Sequence, residues 1–182
     1  MEESKENTRA VVINSNILFS SLIKEEGFTR AVFLFLKGSM GIKLMIPSTV
    51  VGEFKAHIGE IARKSGLSFN DVSKIFENLI ENVEKVGESG LKEEVEESIN
   101  YVKDEKDAPF VAVALKHRPS YILTYNKKDY KIKTLKNLGI SVMTPKEALD
   151  LVGIERLELE TKEKRKRNIR SYLTKLKMLI KK

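Results

Sequence analysis

Short apolar runs, each followed by a helix-like segment, restrict the fold of this chain more than any other feature. Residues 10–13 (AVVI) are rich in β-branched side chains and too few for a helix, so they are predicted to form a strand buried on both faces. Similar runs predict strands at 43–46, 121–124 and 140–143, with a further short strand at 83–86.

Helical spacing of apolar residues, together with capping residues and Pro or Gly breaks, predicts the segments between these strands. The expected helices cover 17–23, 28–37, 49–63, 70–80, 91–102, 109–116 and 146–151. This alternation favours a doubly wound α/β fold, a three-layer α/β/α sandwich around a central parallel sheet. In such folds the functional site lies beyond the carboxyl ends of the strands. The first strand is followed by Asn14-Ser15-Asn16 without glycine, which argues against a dinucleotide or P-loop site.

The basic charge of the chain is confined to its C-terminal segment. Residues 153–182 hold 11 Lys or Arg and 4 Glu, a net charge of +7, which equals that of the whole chain. We therefore expect a flexible start at 1–9, a neutral domain at 10–153 and a basic helical tail at 154–182. Charge gathered in one segment favours a polyanion such as RNA as a partner, although a solvated helix has the same composition. The candidate nucleic-acid contacts are Lys164, Arg165, Lys166, Arg167 and Arg170.

The same tail has an apolar stripe at helical spacing, which needs a surface to cover it. The stripe could fold back on the domain, form a homodimer or bind a partner protein. Its members are Ile169, Tyr172, Leu173, Leu176 and Ile180.

Composition excludes several classes of function. The chain has no cysteine, so disulfides, thiolate metal sites and cysteine nucleophiles are excluded. It shows neither a secretory signal pattern nor an apolar run long enough to cross a membrane, and we expect a cytoplasmic protein. Abundant Lys and Glu without Gln fit a thermophile.

Polar residues gather where the predicted strands end. Carboxylates that converge on one cleft repel each other unless a cation neutralises them, and hard oxygen ligands suit Mg²⁺ or Mn²⁺. Such ions lower the pKa of bound water and stabilise a displaced phosphate, which indicates phosphodiester hydrolysis. The residues at the strand ends are Asn14, Asn16, Glu53, Asp104, Asp107, Thr124, Asn126 and Asp129.

Four segments in order resemble the motifs of PIN domains. Residues 11–19 (VVINSNILF) resemble the opening strand motif, which usually reads V-I-D-T-N-V-L, and 47–54 (PSTVVGEF) resemble the second. Residues 106–115 (KDAPFVAVAL) resemble the third motif, and 121–130 (YILTYNKKDY) resemble the fourth, usually L-V-T-G-D-K-D-L. The resemblance implies a flavodoxin-like sandwich and Mg²⁺- or Mn²⁺-dependent ribonuclease action, including that of the toxins of toxin–antitoxin pairs.

The acidic tetrad of that family would fall on Asn14, Glu53, Asp107 and Asn126. Two of these residues are asparagine, so the formal charge of the site falls from −4 to −2 and divalent-ion binding should weaken. The candidate ligands that remain are Glu53 and Asp107, with Asp129 or Asp104 as substitutes, although both of the latter also suit solvated loops. Asp107 also suits a helix cap before Pro109. Ser15, Asn16 and Thr124 are expected to support the site by hydrogen bonding.

The leading hypothesis is a PIN-like protein of RNA metabolism that binds RNA and has weak or lost nuclease activity. An active metal-dependent endoribonuclease is the first alternative. A non-catalytic module that dimerises or binds a partner through the tail is the second.

Overall fold

Five strands and eight α-helices make up the part of the chain, residues 8–149, that the computed structural model describes. The strands are β1 (Arg9–Ile13), β2 (Ile42–Pro47), β3 (Glu84–Val86), β4 (Ser120–Leu123) and β5 (Ile140–Met143). The helices are α1 (Ser15–Ile23), α2 (Phe28–Lys37), α3 (Thr49–Ser65), α4 (Phe69–Ile80), α5 (Lys92–Ser98), α6 (Ala108–Lys116), α7 (Ile132–Asn137) and α8 (Pro145–Ala148).

All five strands are parallel and lie in the order β3-β2-β1-β4-β5. The chain builds one half of the sheet outward from β1 through β2 to β3, then returns to add β4 and β5 on the other side. The order therefore reverses between β1 and β4, which are in register with Ile13 opposite Leu123. This edge is where a doubly wound sheet places its site.

Helices cover both faces of the sheet, which confirms the predicted α/β/α sandwich. Helices α1 to α4 pack on one another, and α2 also contacts β2 and α8. Helix α5 packs on α6, which lies across β1, β2 and β4. The connections from β1 to β2 and from β2 to β3 run in one direction along the sheet, whereas the connection from β3 to β4 runs in the other direction. Because such crossovers are right-handed, opposite directions place their helices on opposite faces of the sheet. The central strand β1 is accordingly buried on both sides, with Val11, Val12 and Ile13 fully inaccessible.

Several segments differ from the sequence prediction, most of them by one or two residues at an end. The helix expected at 91–102 ends at Ser98 and continues only as a 3₁₀ turn over Ile99–Tyr101, because Val102 pairs with Tyr130 in an isolated antiparallel bridge. Helix α7 was not predicted. Strand β4 begins and ends one residue earlier than expected. The predicted basic tail, with its apolar stripe and its candidate RNA contacts, lies outside the described residues.

None of the helices within residues 8–149 combines the length and apolar character needed to cross a membrane.

Candidate functional site

The candidate site lies at the carboxyl ends of β1 and β4, where Asn14 and Thr124 leave the sheet side by side. The Asn14 N–H donates to the Leu123 carbonyl at 3.0 Å, which extends the ladder between the two strands by one step. The Thr124 N–H likewise donates to the Met143 carbonyl at 2.9 Å. Both residues are buried, so the end of the sheet fixes their side chains in place.

The side chain of Asn14 uses both ends of its carboxamide. Its Oδ1 accepts a hydrogen bond from the Asn16 N–H at 3.0 Å, so Asn14 caps α1. Because a backbone N–H can only donate, this contact fixes the oxygen on the helix side and the nitrogen on the other. The Nδ2 then donates to Asp107 Oδ1 and to the Tyr130 hydroxyl, each at 2.8 Å. Asn14 is 3% exposed, and both of its amide hydrogens and its oxygen are bonded.

Tyr130 completes a group of three side chains that we call the Asn14 triad: Asn14, Asp107 and Tyr130. The Tyr130 hydroxyl donates to Asp107 Oδ1 at 3.2 Å while it accepts from Asn14. The bridge to Val102 holds Tyr130 beside the segment that leads to Asp107. The ring is 4% exposed, and burial raises the pKa of the hydroxyl, with the nearby Asp107 carboxylate adding to the effect. The sequence prediction missed this residue, although it ends the fourth motif.

Asp107 is half-buried, and this burial raises the pKa of its carboxyl above the ordinary value. Hydrogen bonds from Asn14 and Tyr130 oppose the shift, while the charges of Asp104 and Asp129 add to it. Asp107 occupies the cap position of α6, but its side chain makes no capping bond. The N-cap position suggested for Asp107 is confirmed, but its side chain does not cap the helix, because Oδ1 accepts hydrogen bonds within the triad instead.

None of the other predicted acids forms a hydrogen bond to this triad that the described residues show, and only Asp104 and Asp129 act on Asp107 through their charge. Asp104 is exposed, and its Oδ1 accepts the Lys106 N–H at 3.0 Å, which caps a 3₁₀ turn. Asp129 is partly exposed on the turn after Asn126. Glu53 lies in α3 with a partly exposed side chain, and it is not among the groups that shift the pKa of Asp107.

A second network joins the two strand ends through Asn16. Its Nδ2 donates to Thr124 Oγ1 at 3.0 Å, and its Oδ1 accepts the Tyr125 N–H at 3.3 Å. Thr124 Oγ1 also accepts the Asn126 N–H at 3.1 Å, so it lies at the centre of the turn after β4. The side chain of Asn126 is exposed, and Ser15, which begins α1, takes no part in either network.

The fold and the site define a class of protein: a parallel α/β/α domain whose polar site lies where the strand order reverses. The family model of the PIN domain matches residues 12–174, and the chain belongs to the PIN domain family. Members of this family are typically nucleases that depend on a divalent metal ion.

One solved structure that resembles the chain is the crystal structure of VapBC2 from Rickettsia felis bound to a DNA fragment from their promoter. The identity is 14%, the match covers 74% of this chain and 98% of that one, and the TM-score is 0.47. No curated protein matches this chain in sequence.

The described residues do not fit the divalent metal ion that the family implies. Within residues 8–149, no three acidic or histidine side chains come together as a group that could hold a metal ion. At the first strand, the atom facing Asp107 is the Asn14 amide nitrogen, which repels a cation, and the Asn14 oxygen is already bonded to Asn16. The roles assigned from the motifs to Glu53, Asp107, Asp129 and Asp104 as metal ligands stay predictions.

Proposed function

We propose that this chain is a PIN-domain protein of RNA metabolism that binds RNA and whose metal-dependent nuclease activity is weak or lost. The observation that carries the proposal is the contact of 2.8 Å between Asn14 Nδ2 and Asp107 Oδ1. The amide donates two hydrogen bonds into the centre of the site, where a nuclease of this family requires a cation.

The charge balance of the triad supports the loss of activity. Buried carboxylates need either a cation or hydrogen-bond donors, and Asp107 Oδ1 has two donors from neutral side chains. A metal ion entering beside Asp107 would displace the Asn14 amide and leave its buried N–H groups without an acceptor. That displacement costs about 1–3 kcal/mol for each unsatisfied buried group, which opposes metal binding.

Two observations support RNA as the ligand. The first is a pair of lysine-bearing segments at the mouth of the site, residues 101–107 and 127–131. The Lys103 N–H donates to the Asp129 carbonyl and the Lys131 N–H donates to the Tyr101 carbonyl, both at 2.8 Å, so the two segments run side by side. The lysines they carry are Lys103, Lys106, Lys128 and Lys131, together with Lys127, which forms an ion pair with Glu147. The same segments also carry four acids against these five lysines, so the lysines offer separate phosphate contacts and not a strongly positive patch.

The second observation is the net charge of +7 over residues 153–182. Lysine and arginine side chains that neutralise phosphates release counterions, so binding of this kind weakens steeply as salt rises. We assign these contacts to Lys164, Arg165, Lys166, Arg167 and Arg170.

The experiment measures binding and cleavage of the same labelled single-stranded RNA by the full chain. We expect salt-sensitive binding by fluorescence anisotropy and no cleavage with Mn²⁺ for the natural sequence. The double variant Asn14→Asp/Asn126→Asp is expected to bind Mn²⁺ and to cleave.

Control variants separate the two parts of the proposal. Replacing Lys164, Arg165, Lys166 and Arg167 by glutamine should weaken RNA binding and lower its salt dependence. RNA affinity that is unchanged in that variant would remove the role of the tail. Cleavage by the natural sequence that needs Mn²⁺ and disappears in Asp107→Asn would show that the active endoribonuclease is the correct hypothesis.

A further inference from the structure

Tyr125 presents an aromatic ring to solvent beside the candidate site. It lies between Thr124, which is fully buried, and Asn126, and its own exposure is 46%. Among residues 8–149 it is the most exposed tyrosine, whereas Tyr130, five positions later, is 4% exposed. A ring that served only to fill the core would be covered in the same way as Tyr130.

The ring of Tyr125 is nevertheless held in place from both ends. Its backbone N–H donates to Asn16 Oδ1 at 3.3 Å, and its hydroxyl forms a short hydrogen bond with Thr29 Oγ1. Thr29 is 8% exposed, and it also accepts a hydrogen bond from Ser20 Oγ at 3.3 Å. The hydroxyl is therefore anchored on α2 and the backbone on α1, while nearly half of the residue stays exposed to solvent. A ring fixed before its ligand arrives loses little conformational entropy on binding.

Further groups around this anchor suit a single-stranded nucleic acid. Phe28, which is 37% exposed, and Arg30 are the residues directly before and after Thr29 in α2. Lys128, three residues after Tyr125, is also exposed. Aromatic faces flanked by cationic side chains bind single strands, because bases stack on the rings while the cations contact the phosphates.

We infer that Tyr125 is a base-stacking residue that binds one unpaired nucleotide of single-stranded RNA at the mouth of the site. The inference rests on the proposed RNA binding and assigns it a specific contact within the described residues. Stacking on a ring tolerates any base, so this contact should contribute affinity more than sequence preference.

The first experiment compares Tyr125→Leu and Tyr125→Phe in the full chain by fluorescence anisotropy with single-stranded RNA. Tyr125→Leu removes the stacking face and should weaken binding by roughly 5- to 100-fold, the factor expected for the loss of one base–aromatic stack. Tyr125→Phe keeps the face and should bind within about 3-fold of the natural sequence. An abasic oligonucleotide of the same length has phosphates without bases, so Tyr125→Leu should bind it as the natural sequence does.

A tryptophan reporter gives a second readout, because the chain has no tryptophan of its own. The fluorescence of a Tyr125→Trp variant should be quenched by single-stranded RNA and not by the abasic strand. Phe69→Trp is the matched control. Phe69 is 59% exposed at the start of α4 and belongs to neither of the hydrogen-bond networks of the site. Its fluorescence should not respond to RNA.

The inference is overturned if Tyr125→Leu binds RNA as tightly as the natural sequence, or if the Tyr125→Trp signal does not respond to RNA. Equal losses for Tyr125→Leu and Tyr125→Phe, accompanied by lower thermal stability, would show that the hydroxyl anchor is the whole role of the residue. If the natural sequence binds no single-stranded RNA, the proposed function fails and the stacking inference fails with it. RNA binding that survives Tyr125→Leu unchanged overturns only the inference.

Discussion

Replacing Asn14 by aspartate tests whether an amide stands in for a cation at the end of β1. Asn14→Asp puts an oxygen where Nδ2 now donates at 2.8 Å to both Asp107 Oδ1 and the Tyr130 hydroxyl. A hydrogen bond to a charged group, worth about 1.5–3 kcal/mol, is replaced by repulsion. Two like charges about 4 Å apart at an effective dielectric constant near 20 repel by about 4 kcal/mol.

We expect Asn14→Asp to lose about 3–5 kcal/mol of the free energy of unfolding at neutral pH in the presence of a chelator, since protonation relieves part of the repulsion. For a chain of this size that loss corresponds to a melting temperature lower by roughly 10 °C or more. The measurement is urea denaturation and thermal unfolding of the full chain followed by circular dichroism.

Acid should reverse this loss. The two adjacent carboxyls share a proton, so their pKa in the folded state lies above that in the unfolded chain. Stability is therefore fully present below the unfolded pKa and is lost as the pH rises through the raised folded pKa. Mn²⁺ should restore stability to Asn14→Asp at neutral pH, because the variant offers a cation two adjacent carboxylates.

The matched control is Asn126→Asp, the same chemical change at an exposed carboxamide, which should alter stability by less than about 0.5 kcal/mol. If Asn14→Asp unfolds at the same urea concentration as the natural sequence, at neutral pH and without metal, then the Asn14 amide does not stabilise Asp107.

Three further predictions concern the same triad. Tyr130→Phe removes the hydroxyl that bridges Asn14 and Asp107, and urea denaturation should show a loss of about 1–2 kcal/mol; no loss would mean that the bridge contributes nothing. Asp107→Asn keeps an Oδ1 acceptor and removes a half-buried charge, so its melting temperature at neutral pH should equal or exceed that of the natural sequence. Because the pKa of Asp107 is raised in the folded state, the natural protein should lose some stability as the pH rises through that pKa. Asp107→Asn should remove this pH dependence, and an unchanged profile of stability against pH would contradict the prediction. The natural sequence should show no Mn²⁺-dependent shift in melting temperature, and a clear upward shift would indicate a competent metal site.

The strands could be predicted because their signal is local. In β1, β-branched residues follow one another without a polar interruption, and the structure buries both sides of that strand. Helix α7 has no comparable signal. It has six residues, and Leu135 is its one buried side chain, so its position follows from packing against β5. Tertiary contacts also decide where the helix predicted at 91–102 ends, since Val102 forms an antiparallel bridge with Tyr130.

The candidate site could be predicted in position and less well in its chemistry. The motifs located Asn14 and Asp107, which are 93 residues apart in sequence and 2.8 Å apart between Nδ2 and Oδ1. Sequence alone treats Asn14 as a weak oxygen ligand, because it does not reveal which end of the carboxamide meets Asp107. The Asn16 N–H decides that orientation, and it depends on the exact turn between β1 and α1. Tyr130 enters the site through a bridge between two irregular segments, which no periodicity indicates.

The triad also gives Asp107 a structural role that does not depend on catalysis. Without an acceptor at that position, the buried Asn14 amide and the Tyr130 hydroxyl would each lack a partner, which costs about 1–3 kcal/mol per group. What the structure requires is one carboxamide and one acceptor, and either residue can supply either part. The exchange Asn14→Asp/Asp107→Asn should therefore recover most of the stability that Asn14→Asp loses, with a coupling energy above about 2 kcal/mol in a double-mutant cycle. The Tyr130 hydroxyl contacts both side chains, so part of the coupling energy could pass through it. Repeating the cycle in a Tyr130→Phe background measures the direct coupling between positions 14 and 107. If the exchanged variant is no more stable than Asn14→Asp alone, the exchanged pair does not rebuild the hydrogen bond between the two side chains, and the carboxamide is required at position 14 itself.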